Sequence, residues 1–213
     1  MKAMVDGVWR TEEDWPPTRA MPQKFYLDAS GELKDAPGAG TSMFVDNGQP
    51  PAPTGTVDTP NYVSYMGPVL TEPFRYSGEA TATLSLSHSV PRGHVAVTVY
   101  NVTGTNWRPV NWGYFNYNIK DDPAAYTPLT PNERFSLHFP LLPTDMVITT
   151  GSRLAIIISA STTGGPSMTP PPSGGATTII HGENSYVSFP TLDDIMPTCP
   201  QPEMTAREGN PVC

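Results

Sequence analysis

No stretch of this 213-residue sequence stays apolar for the roughly 20 residues that a membrane-spanning helix needs, so no membrane partner is expected. Charge is scarce as well, at 15 % of residues, and the 12 Lys and Arg are outnumbered by 20 Asp and Glu. Phosphate binding relies on clustered cations that displace counterions, and these are scattered, so nucleic acid is not an expected partner. The helical hydrophobic period is nearly absent. The first residues, Met1-Lys2-Ala3-Met4-Val5-Asp6, contain no apolar core of a secretory signal. Cysteine is limited to Cys199 and Cys213, both in the last fifteen residues, with no zinc-type or CxxC spacing. Two readings of the pair stand. Either a disulfide closes the polar, Pro-rich tail, stabilising it by about 3 kcal/mol, or two free thiols sit in a frayed terminus. The first points to an oxidising compartment, hence to export.

What the sequence has instead is punctuation, with 26 Pro and 18 Gly. Proline in a helix interior costs about 3 kcal/mol, so the composition describes short strands joined by ordered loops. Ala80, Ala82, Leu84 and Leu86 alternate with Thr81, Thr83, Ser85 and Ser87, the pattern of a half-buried antiparallel strand. Val95, Val97 and Val99 follow the turn at Pro91-Arg92-Gly93, and Phe135, Leu137 and Phe139 alternate with Ser136 and His138. Leu154 to Ile158 is apolar on both faces and reads as a central strand. Further strands are expected over 23–28, 113–119, 146–149, 177–181 and 185–189. Nine or ten strands without helices predict two packed sheets, a sandwich or jelly roll. Residues 46–61 and 164–176 are expected to be long ordered loops. Neither a repeat nor a linker divides the chain, so a single domain is expected: an opening segment over 1–20, the sandwich over 21–192 and a tail over 193–213.

The chemistry of a serine hydrolase needs G-x-S-x-G on a strand-to-helix turn. Gly40-Thr41-Ser42-Met43-Phe44 and Gly165-Pro166-Ser167-Met168-Thr169 both lack the second glycine. Walker loop, GxGxxG and HExxH are absent, so no cofactor is expected. His88 and His94 flank the turn at 91–93 and could meet across a hairpin, but no third ligand lies nearby. No metal is expected, and both are read as solvent-facing strand-end residues. Asp121-Asp122-Pro123 reads as a turn, and Asn101-Val102-Thr103 as a chance glycosylation sequon. Two aromatic groups remain, Trp9 with Trp15, and Trp107 and Trp112 with Tyr114 and Tyr117. They are core or loop anchors, a docking patch for another domain, or sugar-stacking platforms.

At this point the sequence resembles the C-terminal domain of the Xaa-Pro dipeptidyl-peptidase (S15) and cocaine-esterase-like CocE/NonD hydrolases. The resemblance runs over about residues 8 to 191. It rests on Trp9-Arg10 with Trp15-Pro16-Pro17, Phe25-Tyr26-Leu27, Gly67-Pro68-Val69-Leu70-Thr71-Glu72-Pro73, Leu142-Pro143-Thr144-Asp145, Gly151-Ser152-Arg153-Leu154 and Ile180-His181-Gly182-Glu183-Asn184-Ser185-Tyr186, in that order. It implies an all-β jelly-roll β-sandwich of the galactose-binding-domain-like kind, packed on an α/β-hydrolase domain that precedes it in a longer chain. In that family the catalytic Ser, Asp and His belong to the hydrolase domain, so no catalytic residue transfers to any position here. The implied role is that of an accessory domain that walls the active site, tunes substrate choice or mediates a homodimer. Trp9, Trp15, Trp107, Trp112 and Tyr114 are the candidate inter-domain or ligand contacts. The alternative is a carbohydrate-binding module that uses Trp107 and Trp112.

Overall fold

The computed structural model describes residues 2–5, 8–11, 13–53, 58–162 and 171–193. Among them are sixteen strands: β1 (Lys2–Val5), β2 (Val8–Thr11), β3 (Met21–Leu27), β4 (Leu33–Lys34), β5 (Thr41–Val45), β6 (Asp58–Thr59), β7 (Tyr62–Val69), β8 (Phe74–Gly78), β9 (Thr81–His88), β10 (His94–Thr103), β11 (Asn106–Asn116), β12 (Arg134–Pro140), β13 (Thr144–Ile148), β14 (Arg153–Ser159), β15 (Ala176–Ile180) and β16 (Tyr186–Leu192). β1 and β2 form a hairpin. The others build two antiparallel sheets, one in the order β11-β10-β14-β7-β6, the other β13-β8-β16-β9-β15-β5 with β12 beside β9 and β3 between β16 and β4. This is the all-β sandwich that the alternation predicts.

The core lies between the sheets. Val95, Val97 and Val99 of β10, Ile156 and Ile158 of β14 and Tyr65 of β7 meet Leu84 and Leu86 of β9, Phe139 of β12, Ile179 of β15 and Phe189 of β16, all at most 1 % exposed. Each such side chain stabilises the fold by about 1.5–3 kcal/mol through burial. β14 is the central strand expected, flanked by β10 and β7, and its two faces serve different clusters. Ile156 and Ile158 join the main core, while Ala155 and Ile157 join Tyr62, Tyr100 and Val102 on the outer face.

β7 and β8 were not among the expected strands. In β7 the register against β14 shifts, so that Leu154 stands opposite both Gly67 and Pro68. A bulge is where a sheet tolerates a proline. A Cβ on Gly67 would come within 3.1 Å of the Leu154 carbonyl oxygen, so a larger residue there would have to push that strand back by a few tenths of an ångström. In β8, Arg75 points away from the core but is buried, its Nε and Nη2 donating to Asp145 of β13 at 3.1 and 2.8 Å. The strand expected over 113–119 ends at Asn116, whose Oδ1 accepts the Asn118 N–H and caps a 3₁₀ turn, Tyr117–Ile119.

Candidate functional site

The alternation of β11 puts Trp107, Trp112 and Tyr114 on one side, in register with Val102, Thr98 and Ala96 of β10. That side is the outer face of the five-stranded sheet. Trp107 meets Tyr100 edge-on at 5.7 Å between ring centroids, and Tyr114 tilts over His94 at 5.6 Å. All three side chains are half-buried. Behind them Thr98 and Ile157 are fully buried, and the Thr98 Oγ1 has no hydrogen-bond partner. Trp15 is half-buried in the segment leading into β3. Trp9 falls in β2, where the backbone alone is described, and Cys199 and Cys213 lie outside the described residues.

The expectation of solvent-facing histidines at the 91–93 turn is overturned: His88 is 2 % and His94 8 % exposed. The physical reason is a set of cross-strand hydroxyl and carbonyl partners. His88 Nε2 donates to the Arg92 carbonyl at 2.9 Å, and its Nδ1 lies 2.9 Å from the Thr177 hydroxyl, itself 3.1 Å from the Tyr117 hydroxyl. With the ring neutral and Nε2 protonated, Thr177 donates to Nδ1 and Tyr117 donates to Thr177. His94 Nε2 faces the Asp46 carboxylate at 3.5 Å without a hydrogen bond. Asp46 in turn accepts the Ser173 N–H at 2.7 Å, tying two loops together. Burial lowers the pKa of both rings, more than the Asp46 charge raises it. Burial also pushes the neighbouring Tyr114 phenol up to about 12, with Asp46 adding to the shift. His138 is exposed on β12, as its place in the alternation requires.

One serine approaches a histidine. Ser42 Oγ lies 3.3 Å from His181 Nε2, which also faces the Tyr65 hydroxyl at 3.0 Å. The other ring nitrogen, Nδ1, sits 3.2 Å from the Ala39 carbonyl, where a triad would have a carboxylate. Asp28, the nearest acid to act on that ring, is held by the Ser30 hydroxyl and amide, the Ala39 amide and Lys34, which keep its pKa far below the usual range. Burial lowers the pKa of His181. Among the described residues, His181 meets Ser42 while its Nδ1 faces a carbonyl, and His94 faces Asp46 without a serine, so no serine, histidine and carboxylate are gathered in hydrogen-bond sequence. Among the same residues no three His, Cys, Asp or Glu side chains converge as metal ligands. The Asp121-Asp122 pair forms the turn expected of it, Asp122 Oδ1 accepting the Ala124 N–H at 2.8 Å.

A feature that sequence reasoning missed is a groove of about 770 Å³ where β3, β4, β7, β8 and β14 converge at one end of the sandwich. Phe25, Leu33, Met66, Phe74 and Arg153 are among the residues that line it. These residues come from five strands, three of them (β4, β7 and β8) unforeseen, so no local pattern announced the groove.

Known proteins share this architecture. Similar solved structures include an alpha-amino acid ester hydrolase (20 % identity, TM-score 0.72, 88 % of this chain and 40 % of that one), an aminopeptidase from a marine sediment Thaumarchaeota archaeon (18 %, 0.71, 88 % and 39 %) and a CocE/NonD family hydrolase from Staphylococcus aureus (14 %, 0.70, 90 % and 41 %). At these identities the likeness is one of fold, and the chain spans about 40 % of the length of those proteins. No curated protein sequence matches it. The described family of X-Pro dipeptidyl-peptidase C-terminal non-catalytic domains matches residues 1–201. That match covers nearly the whole sequence, and the chain belongs to this family of C-terminal non-catalytic domains.

Proposed function

We propose that this chain is the accessory sandwich of a serine hydrolase acting on esters or Xaa-Pro peptides, and that it docks on an α/β-hydrolase domain whose cleft it walls on one side. Membership in a family of non-catalytic C-terminal domains carries the reading. The incomplete Ser42–His181 contact supports it, because a hydroxyl without an acid-oriented base gains little nucleophilicity. A wall of this kind excludes water from the reaction and limits which acyl or dipeptidyl groups fit. Docking is built around half-buried aromatic anchors ringed by polar residues, and Trp107, Trp112 and Tyr114 on edge strand β11 offer such a row. The same exposed edge would serve a homodimer. The test is to assay the purified chain on Xaa-Pro-chromogenic and short-ester substrates, then to add a separately produced hydrolase domain of the family. The expected result is no turnover alone and complex formation that Trp112→Ala weakens at least tenfold. Turnover by the chain alone, or binding indifferent to Trp112, overturns the reading.

A further inference from the structure

The outer face of the larger sheet differs from the rest of this acidic chain. β3, β16, β9 and β12 are neighbours there, and none of the four contains an Asp or Glu, in a molecule of formal charge −8. Their outward positions carry Lys24, Arg134 and His138 among serines, threonines and prolines, with Tyr26 and Tyr186 as the large rings. Leu192, opposite Arg75 at the end of β16 and 6 % exposed, is the one aliphatic side chain larger than proline at an outward position of these four strands, whereas a protein interface concentrates apolar residues at its centre.

Register aligns the chemistry. Tyr26, Tyr186, Thr83 and His138 stand directly opposite one another across the four strands, a straight row of about 14 Å at the usual strand spacing. The two phenol rings tilt together at 5.5 Å, Lys24 Nζ sits 4.2 Å over Tyr186, and the Thr83 hydroxyl meets His138 Nδ1 at 3.0 Å. Hydrogen bonding to Thr83 and then Lys24 lowers the pKa of the Tyr186 phenol. Partly exposed rings pack on the C–H faces of a sugar, hydroxyls and imidazole satisfy its hydroxyl groups, and the two permanent cations pair with carboxylates.

We propose that this row binds an acidic oligosaccharide, one whose sugars bear carboxylates. The site is separate from β11 and does not depend on the docking role. The test is calorimetric titration of the whole chain with a short oligogalacturonide and, in parallel, a neutral cello-oligosaccharide, with circular dichroism to check that each variant folds. The expected result is saturable binding of the acidic sugar at least tenfold tighter than the neutral one. Tyr26→Ala and Tyr186→Ala should each weaken it at least tenfold, Lys24→Gln severalfold with a shallower salt dependence, and Trp107→Ala should leave it unchanged. Absence of binding, equal affinity for both sugars, or a loss that follows Trp107 rather than the tyrosines would overturn the proposal.

Discussion

His88, His94 and His181 are neutral groups enclosed in a β-sandwich, and burial is the leading cause that lowers the pKa of each. An unfolded histidine titrates near 6.5, so on acidification the unfolded chain takes up protons that the folded chain refuses. Stability is therefore fully present above about pH 6.5 and is lost as pH falls through that value towards the lowered folded pKa values. Thermal melts between pH 7.5 and 5 should show a steady fall in Tm, and His94→Gln, which removes the ring lacking a hydrogen bond at Nε2, should make that slope shallower. A Tm that rises on acidification would contradict the assignment. The His88 ring also depends on two glycines: a Cβ on Gly93 would lie 2.6 Å from Nε2, and one on Gly175 2.7 Å from it. Gly93→Ala should cost about 1–3 kcal/mol in urea unfolding, the usual penalty of overpacking. None of this was legible in sequence. A polar residue at a strand end reads as exposed, and its burial depends on Thr177, which only the tertiary fold brings to it, as well as on the Arg92 carbonyl in the adjoining turn.

At the level of strands, legibility followed the clarity of the two-residue period. β9, β12 and β14 stood out because their alternation or continuous apolar run is clean over most of the strand. β7 was hidden by Gly67-Pro68, which reads as a turn and is a bulge, and β8 by its shortness, since Phe74-Arg75-Tyr76-Ser77 alternates for only four residues between Pro73 and Gly78. That arginine is a prediction in itself. With side-chain exposures of 1 % and 3 %, the Arg75–Asp145 pair joins β8 to edge strand β13 away from water. Removing one partner leaves a buried charge, so Asp145→Ala should cost about 3–5 kcal/mol, while Arg75→Met combined with Asp145→Leu should recover most of the loss. Chemical denaturation of the three proteins decides it; equal stability of Asp145→Ala and the parent would show the pair to be solvated.

Over the whole molecule, two sheets meet across one core, and the chemistry that a hydrolase needs is not gathered anywhere among the described residues. The absence of an elbow serine was readable from the motifs. The near-approach of Ser42 to His181 was not, since 139 positions separate them and β5 meets β15 only in the fold. The aromatic row on β11 was partly readable, because Trp107, Trp112 and Tyr114 fall close together, although their shared outward face depends on the bulge at Val110 of β11, opposite the Val99–Tyr100 step of β10. The central claim is that this sandwich shapes a reaction performed by another domain. Its most direct test is exposure of the purified chain to an activity-based fluorophosphonate, followed by intact-mass and peptide mapping. The account expects the mass to stay unchanged and hydrolysis of Xaa-Pro and ester substrates to remain at the uncatalysed rate. Stoichiometric labelling of Ser42, abolished together with turnover in Ser42→Ala, would contradict it.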